Sequence, residues 1–267
     1  MSGRSMSDHR LLFFLSTLLV AATAVLLLVF SSPAIGLGWL VLFAYGGLLL
    51  AGVMCPQLAM FAPVLLRGDS TRPEVALTFD DGPAAVSTRE VLATLARFDA
   101  RATFFVLGEK VRAEPGILRE IARAGHAIGI HADWHDRLYS LRHPNRIVAD
   151  VERARDAVAA VTGMRPSLFR PPLGHISPRT AVAARRLGLT LVGWSVRSRD
   201  GLAGTTSETV LRRVLAGLQP GAIVLLHDAP ERGEHVPAGV AALPRILEEA
   251  KRRGLRCVSI SPSWVHA

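Results

Sequence analysis

Short apolar runs alternating with longer stretches of helical periodicity constrain this chain more than any other feature. The runs are Val75–Phe79, Ala102–Val106, Ala127–Ile130, Leu168–Phe169, Thr190–Trp194, Ala222–Leu226 and Arg256–Ile260, most of them rich in β-branched or aromatic residues. Between them, Thr88–Phe98, Pro115–Ala124, Pro144–Val161, Pro178–Leu187, Ser207–Leu218 and Ala238–Arg253 carry apolar residues at helical spacing. Gly125, Gly163, Gly188 and Gly254 stand where four of these helices should stop, as a left-handed C-terminal cap requires. Strand-then-helix repeated in this way gives parallel strands, because each return needs a crossover. The expectation is an α/β domain over 74–262, doubly wound or closed into a (β/α) barrel of about seven strands. In a barrel, chemistry gathers at the C-terminal ends of the strands.

The composition is too apolar for such a domain alone, with a mean hydropathy of +0.32 and 50% hydrophobic residues against 20% charged. The excess sits in 11–54, which contains no Asp, Glu, Lys, Arg or His and is split by Ser31-Ser32-Pro33. At about 1.5 Å per residue, 11–30 and 34–54 each reach across a hydrocarbon core of roughly 30 Å. A signal peptide has a shorter apolar region ending at a cleavage site. The sequence therefore predicts a terminal segment 1–10, transmembrane helices 11–30 and 34–54, a connector 55–73 and the domain 74–262. It places the protein in the cell (inner) membrane with membrane lipid as a partner. Arg4 and Arg10 before the first span, and Arg67 and Arg72 after the second, put both flanks in the cytoplasm as a helical hairpin. A single true span would put the domain outside. The connector reads either as an interfacial segment or as an edge of the domain.

A formal charge of +9 suits nucleic acid, anionic lipid or an anionic substrate equally. Nucleic acid is excluded by the 6% aromatic content and by arginines spread over all the expected helices. Cys55 and Cys257 match no zinc or redox spacing.

The ends of the expected strands carry the chemistry. Asp80-Asp81-Gly82-Pro83 follows the first strand, and adjacent carboxylates repel unless a metal or a shared proton resolves them. After the third come His131 and His135, whose i, i+4 spacing puts two imidazoles on one face of a helical turn. With Asp81 they make one carboxylate and two imidazoles, a set that leaves positions open for water and substrate. Arg170 is followed by Pro171-Pro172 after the fourth strand, and His227 ends the sixth run, with Asp200 a candidate partner for it.

In this order the elements resemble the polysaccharide deacetylase family, also called the NodB-homology or carbohydrate esterase family. Thr78-Phe79-Asp80-Asp81-Gly82-Pro83 matches its first motif, and the His131/His135 pair, Arg170-Pro171-Pro172 and Leu225-Leu226-His227 fit three others. The resemblance covers about Val75 to Ile260 and implies a distorted (β/α) barrel of seven or eight strands. It implies metal-dependent removal of an N-acetyl group from an amino sugar. Asp81, His131 and His135 would hold the divalent metal, zinc most often in that family. Asp80 would be the general base oriented by Arg170, and His227 the general acid held by Asp200. The Leu173 N–H would help to stabilise the oxyanion. The substrate implied is an N-acetylated glycan such as peptidoglycan, chitin-like glycan or exopolysaccharide. The alternative, favoured by the hairpin orientation, the basic charge, Arg197 and Arg199, is deacetylation or deformylation of a polyprenyl-phosphate-linked amino sugar at the inner leaflet. A non-catalytic glycan-binding protein would have lost ligands that this chain keeps.

Two departures stand out. The family usually has Ser or Thr where this chain has Ala132, so a loop-bracing hydrogen bond is expected to be missing. Its fourth motif usually reads acid, two residues, acid, tryptophan, and here Arg197, Asp200 and Gly201 occupy those positions. An aromatic wall is lost and a positive charge gained, which implies a wider or more anion-friendly pocket.

Overall fold

A strand buried on both faces must divide its alternate side chains between two cores, and β1 (Glu74–Asp80), buried along its whole length, does this. Val75, Leu77 and Phe79 pack outward under the helices. Ala76 faces the opposite way, into an inner cluster with Phe105, Leu168, Trp194, Ile223 and Leu225. Thr78 and Asp80 continue that inner side, so the two-residue period alone aims Asp80 into the barrel. The computed structural model describes residues 15–23, 34–231, 233, 235–261 and 264.

The remaining strands are β2 (Ala102–Leu107), β3 (Ala127–Ala132), β4 (Leu168–Phe169), β5 (Thr190–Leu191), β6 (Val196–Arg197), β7 (Ile223–His227) and β8 (Arg256–Cys257). They lie in the order β5-β4-β3-β2-β1-β7-β6, with β8 paired to the start of β1. The strand pairs are all parallel. The register sets Asp80 beside His227. Helices Ser87–Arg97, Pro115–Arg123, Pro144–Thr162, Pro178–Arg186, Ser207–Gly217 and Ala238–Arg252 cover the outside, which makes the domain a distorted (β/α) barrel. Gly125, Gly163, Gly188 and Gly254 adopt φ of 77°, 74°, 63° and 70°, the left-handed stops read from the sequence.

Three local expectations are corrected. The run Thr190–Trp194 pairs with β4 over Thr190–Leu191 and with Leu65 at Val192, and pairing resumes as Val196–Arg197 against β7. At Gly193 the backbone passes so close to Leu66 that a Cβ would lie 2.7 Å from it, so the position takes glycine, and its N–H turns to the Leu65 carbonyl at 2.9 Å. A short helix, Gly108–Ala113, has too few residues to show periodicity and was not expected. His131 lies within β3 and His135 in the loop after it, so the two imidazoles meet through a strand end and its turn, not along a helical face.

The N-terminal expectation is also corrected. Among the described residues no helix is long and apolar enough to cross a membrane, so the two-span anchor, the membrane location and the lipid partner built on it are withdrawn. Of the expected span 11–30, the described part is a helical stretch at 15–23, about 14 Å at 1.5 Å per residue. The rest of that span, and the terminal segment 1–10, lie outside the described residues. Ala34–Met54 is helical, but its last turn is taken up by the domain. The Val53 carbonyl accepts from the Ile176 N–H at 3.0 Å, and Gly52 abuts Met60 and Phe61.

The connector 55–73 then runs against the sheet. The Leu65 N–H donates to the Leu191 carbonyl at 2.8 Å, and the Gly68 N–H donates to the Gly221 carbonyl at 2.9 Å. Met60 and Ala62 are buried.

Candidate active site

One cleft at the C-terminal ends of the strands is lined by Asp80, Asp81, His131, His135, Leu173, Trp194, Arg197, Arg199, Gly201, His227 and Glu231, among others. All the charged and imidazole residues singled out in the sequence meet here. Arg170 and Asp200 stand directly behind it, each bonded to a lining residue.

Asp80 ends β1. Its Oδ1 accepts from Arg170 Nη1 at 2.7 Å, while Oδ2 lies 4.0 Å from His131 Nδ1. Arg170 is itself fully buried. Nη1 also donates to Thr78 Oγ1 at 2.8 Å and Nη2 to the Gly193 carbonyl at 2.8 Å, with the guanidinium 4.2 Å above the Phe105 ring. Burial raises the Asp80 pKa, and the Arg170 charge opposes that shift.

Asp81 leaves the strand at φ 72°, a left-handed conformation that turns its carboxylate sharply away from that of Asp80. Its Oδ1 lies 3.3 Å from His131 Nε2 and 3.8 Å from His135 Nε2. One ligand atom from each of the three residues falls within 4.8 Å of the others. Asp81 Oδ1 is buried without a hydrogen-bond partner. Burial pushes the Asp81 pKa up to about 7, holds His131 well below its ordinary range and lowers His135 to about 4. Two neutral imidazoles facing an unpartnered carboxylate oxygen is the donor set that a divalent cation completes. The residues therefore fit a metal.

Across the cleft, His227 Nδ1 contacts Asp200 Oδ1 at 2.8 Å, and its backbone N–H donates to Asp200 Oδ2 at 2.9 Å. Ser198 Oγ fixes the same carboxylate by donating to Oδ1 at 2.5 Å. Burial alone would lower the His227 pKa, but Asp200, with Asp81 and Asp80 beyond it, raises it to about 9. Gly201 lies against the face of this imidazole, where a Cβ would sit 3.2 Å from Nδ1. Leu173 turns into the cleft at φ 58°.

Ala132 is buried, and the loop after it is braced from the next residue. The Asp133 N–H donates to Asp150 Oδ2 at 2.9 Å, and the Asp133 carboxylate takes Arg112 at 2.7 Å and Arg153 at 3.1 Å. Tyr139 donates to the same Asp150 oxygen at 3.0 Å. The bracing expected to be absent is supplied by this buried acid.

Two further residues were not assigned from the sequence. Asp228 accepts from Thr88 Oγ1 at 2.6 Å and lies so close to Gly82 that a Cβ there would be 2.1 Å from Oδ2. It wedges the Asp80-Asp81-Gly82 turn, and its only sequence signal is an acid following an already assigned histidine. Glu231 reaches within 3.6 Å of His135 Nδ1 while accepting from Arg137 at 2.8 Å, and nothing in the sequence marks it.

Comparison with known proteins gives the same family. A family model described as polysaccharide deacetylase matches residues 67–192. A peptidoglycan-N-acetylglucosamine deacetylase of Bacillus cereus is 34% identical over 196 residues, covering 72% of this chain and 69% of its own length. A chitooligosaccharide deacetylase of Sinorhizobium fredii is 34% identical, covering 70% of this chain and 90% of its own. A solved peptidoglycan N-acetylglucosamine deacetylase superposes with a TM-score of 0.69 at 33% identity, over 74% of this chain and 91% of that one. The chain belongs to the polysaccharide deacetylase family and is a glycan deacetylase, a hydrolase of carbon–nitrogen bonds other than peptide bonds.

Proposed function

We propose that the protein removes N-acetyl groups from the amino sugars of a polymeric glycan, of the peptidoglycan or chitin-oligomer type, in a metal-dependent hydrolysis. The observation that carries this reading is the convergence of Asp81, His131 and His135 on one unpartnered carboxylate oxygen, between the Asp80–Arg170 and His227–Asp200 pairs. Those three residues would hold the cation, and zinc suits a set of two imidazoles and one carboxylate that leaves room for water. Bound there, it would polarise the acetamide carbonyl and make a water acidic near neutral pH.

The chain's own groups move the protons. Asp80 would accept the proton of the attacking water at Oδ2, because Oδ1 is taken by Arg170. With His227 Nδ1 held by Asp200, Nε2 is the nitrogen left to donate a proton to the departing amine. Water oxygen joins the acetyl carbon, the C–N bond breaks, and acetate and a free amine leave. Incubation with an N-acetylglucosamine oligomer should release acetate and primary amine in equal amounts, and release of neither would sink the reading.

The His227 assignment fixes a pH dependence. An acid with a pKa of about 9 is protonated below that pH, so kcat/KM should fall as pH rises through about 9. Asp200→Asn removes the charge that raises the imidazole, and the alkaline limb should move down by about one unit or more. An alkaline limb that stays in place in Asp200→Asn assigns it to another group.

A further inference from the structure

The acids of the cleft each face a group other than Arg197 or Arg199. Asp80 is paired with Arg170, Asp81 faces the two imidazoles, Asp200 holds His227, and Glu231 is bonded to Arg137. Arg197 and Arg199 line the cleft beside Trp194 and Leu202, and among the described residues neither forms an ion pair. Elsewhere in the domain the arginines are commonly neutralised, as in Arg89–Glu120, Arg142–Asp136 and Arg165–Glu152.

The segment that carries them is built to hold them side by side. Ser198 between them is buried, its N–H donates to the Leu225 carbonyl at 3.4 Å, and its own carbonyl accepts from Arg213 at 3.2 Å. Arg199 takes a left-handed φ of 59°, a conformation that a side-chain-bearing residue adopts only under constraint, and its carbonyl accepts from Thr205. The Arg197 guanidinium sits 5.7 Å from the Trp194 ring centroid, so the indole fixes its position. Each of the two like charges disfavours the other unless an anion lies between them. A planar guanidinium donates two parallel hydrogen bonds to a carboxylate or a phosphate.

We infer that Arg197 and Arg199 form an anion subsite, which recognises a carboxylate or phosphate substituent carried by the glycan next to the N-acetylated sugar. The inference rests on the deacetylase reading of the cleft and names the substrate class within it. A neutral oligomer would leave the two charges unanswered. A glycan with an acidic substituent would neutralise them on binding and set which of its sugars faces His227.

The test compares matched N-acetylated disaccharides whose neighbouring ring carries a free carboxylate, its methyl ester, or a phosphate. Affinity is read by calorimetry on the metal-free protein and kcat/KM by acetate release from the metal-loaded one. The wild type should favour an anionic form over the ester by about tenfold in both, the scale of one charge-assisted hydrogen bond. Preference for the carboxylate or for the phosphate form identifies the anion, and both should weaken with added salt. The double variant Arg197→Glu/Arg199→Glu should reverse the ratio, and Arg197→Lys/Arg199→Lys should retain part of it. Equal affinity of the wild type for acid, phosphate and ester overturns the inference. An intact binding preference with no acetate released from any of the three counts against the deacetylase reading and leaves the anion subsite standing.

Discussion

Asp80→Asn is expected to lower turnover by about 10²–10⁴-fold, the usual contribution of a positioned general base, while leaving the bound metal in place. The split follows from where the two neighbouring carboxylates point. Asp80 Oδ1 is engaged by Arg170, and its Oδ2 stands 4.0 Å from His131, whereas the oxygen that faces both imidazole Nε2 atoms belongs to Asp81. An amide at position 80 still accepts from Arg170 but takes no proton from water. Metal content by elemental analysis and kcat from acetate release, on the same sample, separate the two roles. Wild-type turnover in Asp80→Asn would contradict the assignment of the base. Loss of metal in Asp80→Asn would place the ligand at the wrong carboxylate.

Arg170→Ala is expected to cost about 3–5 kcal/mol of stability, the penalty of breaking a buried ion pair from one side. Arg170 is among the largest fully buried side chains of the domain, and its guanidinium serves four acceptors at once: Asp80, Thr78 and the carbonyls of Val192 and Gly193. Truncation leaves a desolvated carboxylate unpaired, orphans two backbone acceptors and opens a void against Phe105 and Trp194. Urea unfolding at neutral pH, where the Asp80 charge matters, measures the loss. A change below about 1 kcal/mol would mean that Asp80 takes up a proton at little cost, and that Arg170 is not what keeps it ionised.

The architecture was legible because short apolar runs such as Val75–Phe79 recur between stretches of helical spacing. Which alternate residues of that run face the helices and which the barrel interior, with Asp80 ending the inner side, is added by the structure. The helix stops were legible for a different reason, since only glycine takes a left-handed cap without strain. What failed was local or tertiary. Thr190–Trp194 reads as one apolar strand, but the Gly193 backbone is crowded by Leu66, a residue 127 positions earlier that no local pattern announces. The His131/His135 spacing brings the two imidazoles together by a geometry other than the helical one expected, because a strand end followed by a turn also brings residues four apart together. Residues 34–54 have the composition of a span, but the last turn of that helix is committed to Met60, Phe61 and Ile176.

Within the site, residues were legible where chemistry demands an unusual neighbour, as with the adjacent carboxylates and the paired histidines. Asp133, Asp150, Asp228 and Glu231 were not, since an acid that braces a loop looks like any surface acid until its partners are known. Arg197 and Arg199 were visible in the sequence, but their surroundings were not. That Arg197 lies beside Trp194 and that both arginines line the cleft appears only in three dimensions.

Acetate release from an N-acetylglucosamine oligomer, measured as a chelated sample is titrated with zinc or another divalent cation, reads out whether Asp81, His131 and His135 hold a catalytic metal. Activity should be lost on chelation, return in proportion to added metal and level off at about one equivalent per chain, with His131→Ala failing to recover. Full acetate release by the chelated protein, or recovery of His131→Ala alongside the wild type, would contradict that assignment.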